Sequence, residues 1–314
     1  MPAFDVLAVG TPVIDIFANV DDAFIAKHSL IKNSTNFLKP QEMAAIEDEL
    51  SGKMFESYPG DNARNVCETI SRLGGKVAYA GRVADDEWGR KVESSIASHG
   101  GSSYLDFKGE RTGRILCLIT GDAERTFVAD LAQTEDFELS KLFGFEGTKF
   151  VFATSITLLS KKPIGKATHS LFLYARARRM KTALSLESPK MIHEHRTEVR
   201  ELMREADFVF MNEEEREALG VSYKFLSHLG STVFLKNGKH GSMVYEPGKK
   251  PFHVPAFAVK KVVDTTGAGD AYCAGVLYGL SKGMPVHEAA AIGAKTGAAC
   301  VSKFGASLPD NFKL

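Results

Sequence analysis

The chain has 314 residues, of which 44% are hydrophobic and 25% charged, and its 39 basic residues equal its 39 acidic ones. This composition is ordinary for a soluble globular protein, and the length suffices for one large domain or two small ones. Because the net charge is zero, there is no bulk electrostatic attraction to nucleic acid or to a membrane surface. We therefore expect neither of these as a partner.

The N-terminal sequence MPAFDVLAVG has no basic leader, and no uninterrupted apolar run approaches the ~20 residues that would span a bilayer. The four cysteines lie far apart without a CxxC pair, so we expect neither a structural zinc site nor a disulfide framework. Each cysteine has apolar or small neighbours, which predicts buried free thiols. Together these features predict a cytoplasmic protein.

The first part of the chain carries strand patterns that do not alternate simply with helices. DVLAVGTPVIDIFANV begins as a buried strand and continues as a more polar extended segment. GRILCLITGDAERTFVADL has the pattern of two strands joined by a turn at Gly121 and Asp122. We predict that these strands form a small β lid, built from about residues 12–40 and 103–131 and attached to a larger α/β unit.

From about residue 150 the pattern alternates between strands and helices. The short β-type runs are KFVFATSI, KTALSL, ADFVFMN, STVFLK and KKVVD, and segments 163–180 and 191–204 have helical spacing. This alternation predicts a mainly parallel sheet flanked by helices, with ligands at the carboxyl ends of the strands. Since no repeat, low-complexity segment or flexible linker divides the chain, we predict one domain over residues 1–314.

The most informative stretch is VKKVVDTTGAGDAYCAGVLYGL, residues 259–280, which places a glycine-rich turn between a β-branched run and a helical pattern. A helix start presents unpaired N–H groups and a partial positive charge, and glycines let an anion approach the backbone. The predicted anion cradle comprises Thr265, Thr266, Gly267, Ala268 and Gly269. On spacing alone, Asp270 is either a proton acceptor at this site or a first-turn acid that complements the helix dipole.

The segment DTTGAGDAYCAGVL resembles the nucleotide-binding signature of the ribokinase-like family of sugar and nucleoside kinases, the PfkB group. The resemblance implies that Asp270 is the general base for an acceptor hydroxyl, and that the amides of Gly267, Ala268 and Gly269 hold the transferring phosphoryl group. It also implies a ribokinase-like α/β fold with a small β lid, which keeps water from the phosphoryl group. No GxxxxGK[ST] P-loop occurs, so ATP is expected at this turn.

Two segments supply candidates for holding an acceptor sugar. GTPVID ends the first strand, and the resemblance implies that Asp15, with Thr11 nearby, holds two sugar hydroxyls. YPGDNARNVCETISRLGG resembles the family's first signature, in which a Gly-Gly pair precedes an asparagine at a helix start. Gly60 and Asn65 match that pattern, whereas Asp61 replaces the second glycine. This extra acid would either accept another hydroxyl or exclude an anionic substrate.

FMNEEEREALG places Asn212 at the end of a strand and Glu215 on the first turn of a helix. Successive acids are typical of a solvated face or of dipole complements. The Asn-x-x-Glu spacing also matches the family motif that organises magnesium and phosphate, which implies those roles for these two residues. Because Mg²⁺ keeps most of its waters, we expect both to act on the metal through water.

TGRILCLITGDAERTFVADLA resembles the adenosine kinases of this family in particular. By that resemblance Arg125 reaches toward the phosphates, and Phe127 and Leu131 line the base pocket, although lid core is the simpler explanation of both. ATSITLLS departs from the pattern, with Ile156 and Thr157 where aromatic residues would pack against a purine. The identity of the base therefore stays open.

LKNGKHGSMVY and SKFGASLPD correspond to family loops near the ATP base. They make Gly238 and Gly241 candidate nucleotide-binding residues, with simple hairpin glycines as the alternative. IHEHR contains His193 and His195, which in a helix would face different directions, so a solvated pair is expected rather than a metal site.

The sequence thus predicts an ATP- and magnesium-dependent kinase of the 5′-hydroxyl of adenosine or another purine nucleoside. A kinase of a free sugar or sugar phosphate is the second interpretation, and an inactive nucleoside- or nucleotide-binding regulator is the third. Asp270 and the intact glycine turn argue against the third, because a pure binder needs no base. The sequence leaves three questions open: whether potassium is required, whether ATP or ADP is the phosphate donor, and whether the protein is a monomer or a homodimer.

Overall fold

The structure is a computed structural model that describes residues 4–122, 124–138 and 145–314. Its strands are β1 (Val6–Val9), β2 (Val13–Asn19), β3 (Thr35–Phe37), β4 (Met54–Gly60), β5 (Val77–Val83), β6 (Ser102–Phe107), β7 (Gly113–Ile119), β8 (Arg125–Asp130), β9 (Phe150–Thr154), β10 (Lys181–Ser185), β11 (Phe208–Asn212), β12 (Thr232–Lys236), β13 (Ser242–Tyr245) and β14 (Phe252–Val254). Its α-helices are α1 (Asp22–Lys27), α2 (Pro40–Glu49), α3 (Asn62–Arg72), α4 (Glu87–Ala97), α5 (Ser155–Leu159), α6 (Pro163–Ala177), α7 (Pro189–Glu194), α8 (Arg196–Glu205), α9 (Glu213–Leu219), α10 (Tyr223–Ser227), α11 (Ala268–Ser281) and α12 (Val286–Cys300). Within those ranges, no helix combines the length and the apolar character that a membrane crossing requires.

Nine strands of the described residues form one large sheet, in the order β14-β13-β12-β11-β10-β9-β1-β5-β6. Every neighbouring pair from β12 to β6 is parallel, and only the β12-β13-β14 edge of this sheet is antiparallel. Successive residues of β1 point to opposite faces: Val6 and Ala8 join one apolar cluster, whereas Leu7 and Val9 join the other. Helices cover both faces, which confirms the predicted α/β class.

The second sheet has the order β3-β8-β7-β2-β4 among the described strands. β7 and β8 are antiparallel neighbours joined through the turn at Gly121 and Asp122, as their pattern predicts. The boundaries differ from the expected lid segments in two places. β4 pairs with β2 in this sheet although Met54–Gly60 lies outside those segments, whereas Ser102–Phe107 pairs with β5 in the large sheet.

Two local predictions are wrong. KKVVD forms no strand in the described segment 260–264, because Val262 and Val263 are exposed and the run meets no partner strand. The Val263 N–H group of this segment donates to the carbonyl of Val301 at 2.8 Å. The helix expected over 191–204 is interrupted at His195, whose φ of −121° and ψ of 35° separate α7 from α8.

All four cysteines are free and buried, as predicted; they are Cys67, Cys117, Cys273 and Cys300. The C-terminal helices α11 and α12 pack through small residues. A Cβ added to Gly275 would lie 2.4 Å from Thr296 Oγ1 and 2.8 Å from Gly293 Cα, so only glycine permits this approach. The contact fixes α11, whose first turn carries the glycine-rich motif.

Replacing Gly275 with valine should destabilise the protein by at least about 1–3 kcal/mol, because the added atoms force α11 and α12 apart. Urea denaturation measures this free energy of unfolding. Gly121→Val is the matched control, since a Cβ there would meet no atom within 4 Å. Equal stability of the two variants would contradict the described helix contact.

Candidate active site

The turn before α11 has the geometry of an anion cradle. Gly267 is the N-cap of the helix with φ of 72°, and a Cβ there would lie 2.3 Å from the Ala306 side chain. Glycine is therefore required by both conformation and space. No described side chain caps the helix, so the N–H groups of its first turn, apart from that of Ala268, stay available to an anion.

A polar cluster fixes this turn from the side of the second sheet. Asp264 accepts hydrogen bonds from the Thr266 N–H (3.0 Å) and hydroxyl (2.8 Å) groups and from the Gly305 N–H group (3.2 Å). Arg125, at the start of β8, donates to Thr266 Oγ1 at 3.0 Å and reaches Asp264 Oδ1 at 3.4 Å. Thr265 is exposed, and its carbonyl accepts from the Ala268 N–H group. The predicted phosphate residue Arg125 thus lies at the cradle.

Asp270 lies buried on the first turn of α11. Burial raises the pKa of this carboxyl to about 7, aided by the charge of Asp61 and opposed by the Asn65 hydrogen bond and by Lys236. Asn65 Nδ2 donates to Asp270 Oδ2 at 2.9 Å. A carboxylate with such a pKa is matched to accepting a proton near neutral pH.

Lys236 is a site residue that the sequence reasoning missed. It ends β12, and a Cβ built on Gly269 would lie 3.0 Å from its Nζ, so the ammonium group adjoins the cradle. Burial opposes its charged form, but the acidic groups around it, including Glu215 and Asp270, prevail and raise the pKa of Lys236. A lysine at the carboxyl end of an otherwise apolar strand was the available signal.

The carboxyl groups of Asp15 and Asp61 each lie against the backbone of a glycine. A Cβ on Gly60 would lie 2.5 Å from Asp15 Oδ2, and a Cβ on Gly10 would overlap Asp61 Oδ2. Burial raises the pKa of Asp15 to about 6, with Arg64 opposing and Asp61 adding to the shift. The two glycines therefore make room for two carboxyl groups.

Asp61 adopts a backbone conformation that suits glycine, with φ of 95° and ψ of 126°. A non-glycine residue in such a region carries strain of about 1–3 kcal/mol unless its surroundings hold it. Its carboxyl group accepts from the Tyr79 hydroxyl at 2.7 Å, from the Arg64 N–H group at 3.1 Å and from the backbone of Thr11. Burial nevertheless raises the pKa of Asp61.

Glu187 is a second site residue that the sequence reasoning missed. It follows β10 at the carboxyl edge of the large sheet, where its Oε1 accepts from Asn62 Nδ2 at 2.6 Å and its N–H group donates to Ser155 Oγ at 3.1 Å. Burial, then the charges of Asp270 and Asp61, raise the pKa of Glu187 well above its usual range. Its place after a parallel strand was the only available signal.

Asn212 and Glu215 form a reciprocal capping box at the start of α9. Asn212 Oδ1 accepts from the Glu215 N–H group at 2.8 Å, and Glu215 Oε2 accepts from the Asn212 N–H group at 2.7 Å. Burial raises the pKa of Glu215, and Lys236 opposes that shift. Oε1 of Glu215 lies outside the box, and hard oxygens of this kind fit a magnesium ion held through water.

The remaining predicted residues have structural explanations as well. Gly238 begins the 3-10 turn after β12 and Gly241 follows it, with φ of 50° and 82°. A Cβ on Gly241 would overlap the carbonyl of Val254, so the hairpin itself requires this glycine. Phe127 and Leu131 are half-buried on and just after β8 of the second sheet.

The sequence profile of pfkB family carbohydrate kinases matches residues 36–312, which include the glycine-rich turn and the helix that bears Asp270. The chain belongs to the PfkB family of carbohydrate kinases. The resemblance inferred from the motifs is thereby confirmed, and the molecule is a kinase of the class that phosphorylates alcohol groups.

Relatives of this PfkB kinase include both sugar-type and nucleoside kinases. 5-Dehydro-2-deoxygluconokinase of Bacillus subtilis (strain 168) is 25% identical, over 97% of this chain and 92% of that protein. Adenosine kinase 2 of Arabidopsis thaliana is 24% identical, over 97% and 95%. Sequence similarity therefore leaves a nucleoside and a sugar acceptor both open.

Solved structures confirm the ribokinase-like fold. The adenosine kinase from Sinorhizobium meliloti superposes with a TM-score of 0.84 at 26% identity, covering 98% of this chain and 96% of that one. A probable sugar kinase from Rhizobium etli CFN 42 superposes with a TM-score of 0.87 at 23% identity, with the same coverage of both chains. At this identity the similarity is evidence of the fold alone. The large sheet and its helices thus match those of a solved adenosine kinase and a solved probable sugar kinase.

Replacing Tyr79 with phenylalanine should destabilise the protein by about 1–3 kcal/mol, because the strained Asp61 loses a hydrogen bond to its buried carboxyl group. Chemical denaturation gives the value. Tyr223→Phe is the control: this residue is 51% exposed and its hydroxyl lies 3.3 Å from Glu213, so a change within ±0.5 kcal/mol is expected. A Tyr79→Phe variant as stable as this control would contradict the role given to the hydroxyl.

Proposed function

We propose that this kinase transfers the terminal phosphoryl group of ATP, with magnesium, to the 5′-hydroxyl of adenosine or another purine nucleoside. The observation that carries the proposal is the position of Asp270. This carboxyl group lies on the helix turn that forms the anion cradle and is bonded to Asn65, which belongs to the same helix start as Asp61. The Asp270 base therefore adjoins both the phosphate site and an acid-rich site for the molecule that is phosphorylated.

The part of the site that would bind the molecule to be phosphorylated, here called the acceptor side, favours a neutral, hydroxyl-rich molecule. Its carboxyl groups come from Asp15, Asp61 and Glu187, each with a pKa raised chiefly by burial. The cation on this side, Arg64, is already bonded to Glu68 and Asn65. Such a surface accepts hydrogen bonds from ribose hydroxyls, and those of its carboxyl groups that are ionised repel a phosphate group. These contacts support a nucleoside or free sugar over a sugar phosphate.

The chemistry follows from the residues around Asp270. Asn65 orients its carboxylate, which takes the proton of the acceptor hydroxyl as attack on the phosphoryl group begins. The amides of Gly267 and Gly269, with that of Ala268 shared with the Thr265 carbonyl, stabilise charge on the moving group, and Lys236 neutralises it. Magnesium, held through water by Asn212 and Glu215, would supply further positive charge at the phosphates.

The second sheet is the proposed lid. Its Arg125 is bonded at the cradle, and its strands carry Asp15 to the acceptor side, so closing this sheet over the site excludes water from the phosphoryl group. Phe127 and Leu131 on the same sheet are the proposed apolar contacts of the base. The similarity to enzymes named adenosine kinase supports a nucleoside acceptor.

A free sugar is the second candidate acceptor. Thr157 is buried, and Ile156, which is 37% exposed, is the aliphatic residue that remains where an aromatic partner of a purine would be expected. The similarity to 5-dehydro-2-deoxygluconokinase points the same way. A silent nucleotide-binding regulator is disfavoured because such a protein has no use for Asp270 as a base.

The direct test is phosphoryl transfer from ATP and magnesium to adenosine, inosine, guanosine, cytidine, ribose and fructose 6-phosphate. We expect a purine nucleoside product, no product from fructose 6-phosphate, and a loss of about 10²–10⁴ in kcat for Asp270→Asn. Asp85→Asn, at an exposed loop position, is the matched control with unchanged kcat. Product from a sugar alone would replace the nucleoside by the second candidate, and wild-type activity of Asp270→Asn would refute the mechanism.

The pH dependence tests the same carboxyl group independently. Because Asp270 must be ionised to accept a proton and its pKa is raised to about 7, kcat/KM should fall about tenfold per unit as pH drops below that value. It should level off above it. Initial rates at saturating ATP, with circular dichroism as a check on folding, give the profile. A flat profile between about pH 5 and pH 8 would show that another group takes the proton.

A further inference from the structure

Arg64 is a charged residue that the chemistry above does not use. It lies in the first turns of α3 and is only 3% exposed, although arginine is almost never fully buried unless it is paired. Its Nη1 donates to Glu68 Oε2 at 2.6 Å and to Ser95 Oγ at 3.1 Å, and its Nη2 donates to Asn65 Oδ1 at 2.7 Å. The guanidinium group is therefore anchored on one side and bonded to Asn65 on the other.

The bond to Asn65 has a directional consequence. An amide side chain can present either its oxygen or its NH₂ group to a neighbour. With Oδ1 held by the Arg64 guanidinium, Nδ2 faces Asp270 Oδ2 at 2.9 Å. The flipped amide would place its NH₂ group against the guanidinium and its oxygen against the carboxylate, and both contacts would be repulsive.

We propose that Arg64 is a positioning residue, whose guanidinium group fixes the Asn65 amide and through it holds Asp270 toward the acceptor hydroxyl. This inference rests on the proposed role of Asp270 as the base. Arg64 acts on the carboxyl group by geometry and by charge, since its positive charge also lowers the pKa of Asp270. The charged and titratable groups that face Asp270 are Asp61, Arg64, Glu187, Lys236, Cys273 and Cys300.

A purely structural role for Arg64 would act through its ion pair with Glu68, which also accepts from Arg72 Nε at 3.1 Å. The two roles can be separated because only one of them passes through Asn65. Glu68→Gln keeps the Arg64 bond to Asn65, whereas Arg64→Met combined with Glu68→Gln removes that bond without leaving a buried carboxylate unpaired.

The first experiment compares Glu68→Gln with the Arg64→Met/Glu68→Gln double variant in steady-state kinetics. We expect the double variant to lose about 10- to 100-fold in kcat relative to Glu68→Gln, with changes in KM for ATP and acceptor below about threefold. The acid limb of its pH profile should move to higher pH, because Asp270 loses a favourable charge. Arg64→Lys, which retains a donor and a charge, should recover part of the loss.

The decisive measurement is a double-mutant cycle with Asn65→Ala. If Arg64 acts through Asn65, then Arg64→Met in that background should cost about twofold or less, since the amide it positions is gone. Losses that multiply, or an unshifted pH profile, would overturn the inference and leave Arg64 structural. If the methionine variants fail to fold, the same comparison made with Arg64→Lys decides the matter.

Failure of this inference is distinguishable from failure of the proposed function. Wild-type activity of Asp270→Asn would overturn both, since no base would then need positioning. An inactive Asp270→Asn variant, together with Arg64 variants whose kcat and pH profile match those of Glu68→Gln, would overturn only the role of Arg64.

Discussion

The site depends on the burial of one carboxyl group at the positively polarised start of a helix. In water such a group is a weak base, with a reference pKa of 3.8, and burial raises this to about 7. The Asn65 hydrogen bond and the charge of Lys236 keep the shift from going further. The same helix start has no side-chain cap and presents N–H groups to a phosphate, so the proton acceptor and the anion site share one turn.

The second sheet completes this arrangement from the other side. It brings Asp15 to the acceptor side and Arg125 to the cradle, and its aromatic rings reach the C-terminal loop that flanks the cradle. The ring of Phe304 lies 5.3 Å from that of Phe17 and 6.2 Å from that of Tyr58, centroid to centroid. The second sheet is therefore held against the loop after α12, whose Ala306 lies next to Gly267 of the glycine-rich turn.

Site residues could be predicted from the sequence where they form one contiguous motif. They could not be predicted where the fold brings together residues from distant parts of the chain. The turn around Asp270 is one contiguous motif, and its helix begins where the glycines predict. Lys236 ends β12 and Glu187 follows β10, and neither carries a pattern of its own, so only the order of parallel strands brings them to Asp270. Strand prediction failed for the same reason. KKVVD contains β-branched residues but has no partner strand, whereas MFESYPG lacks apolar alternation yet pairs with β2.

The central claim is that a neutral acceptor and the phosphates of ATP meet at Asp270. A crystal structure with adenosine and a non-hydrolysable ATP analogue tests it most directly. The account predicts the 5′-hydroxyl within about 2.6–3.2 Å of an Asp270 oxygen, the ribose hydroxyls at Asp15, and the terminal phosphate on the amides of the glycine-rich turn. A ribose bound away from Asp15 and Asp270, or phosphates bound away from that turn, would contradict it.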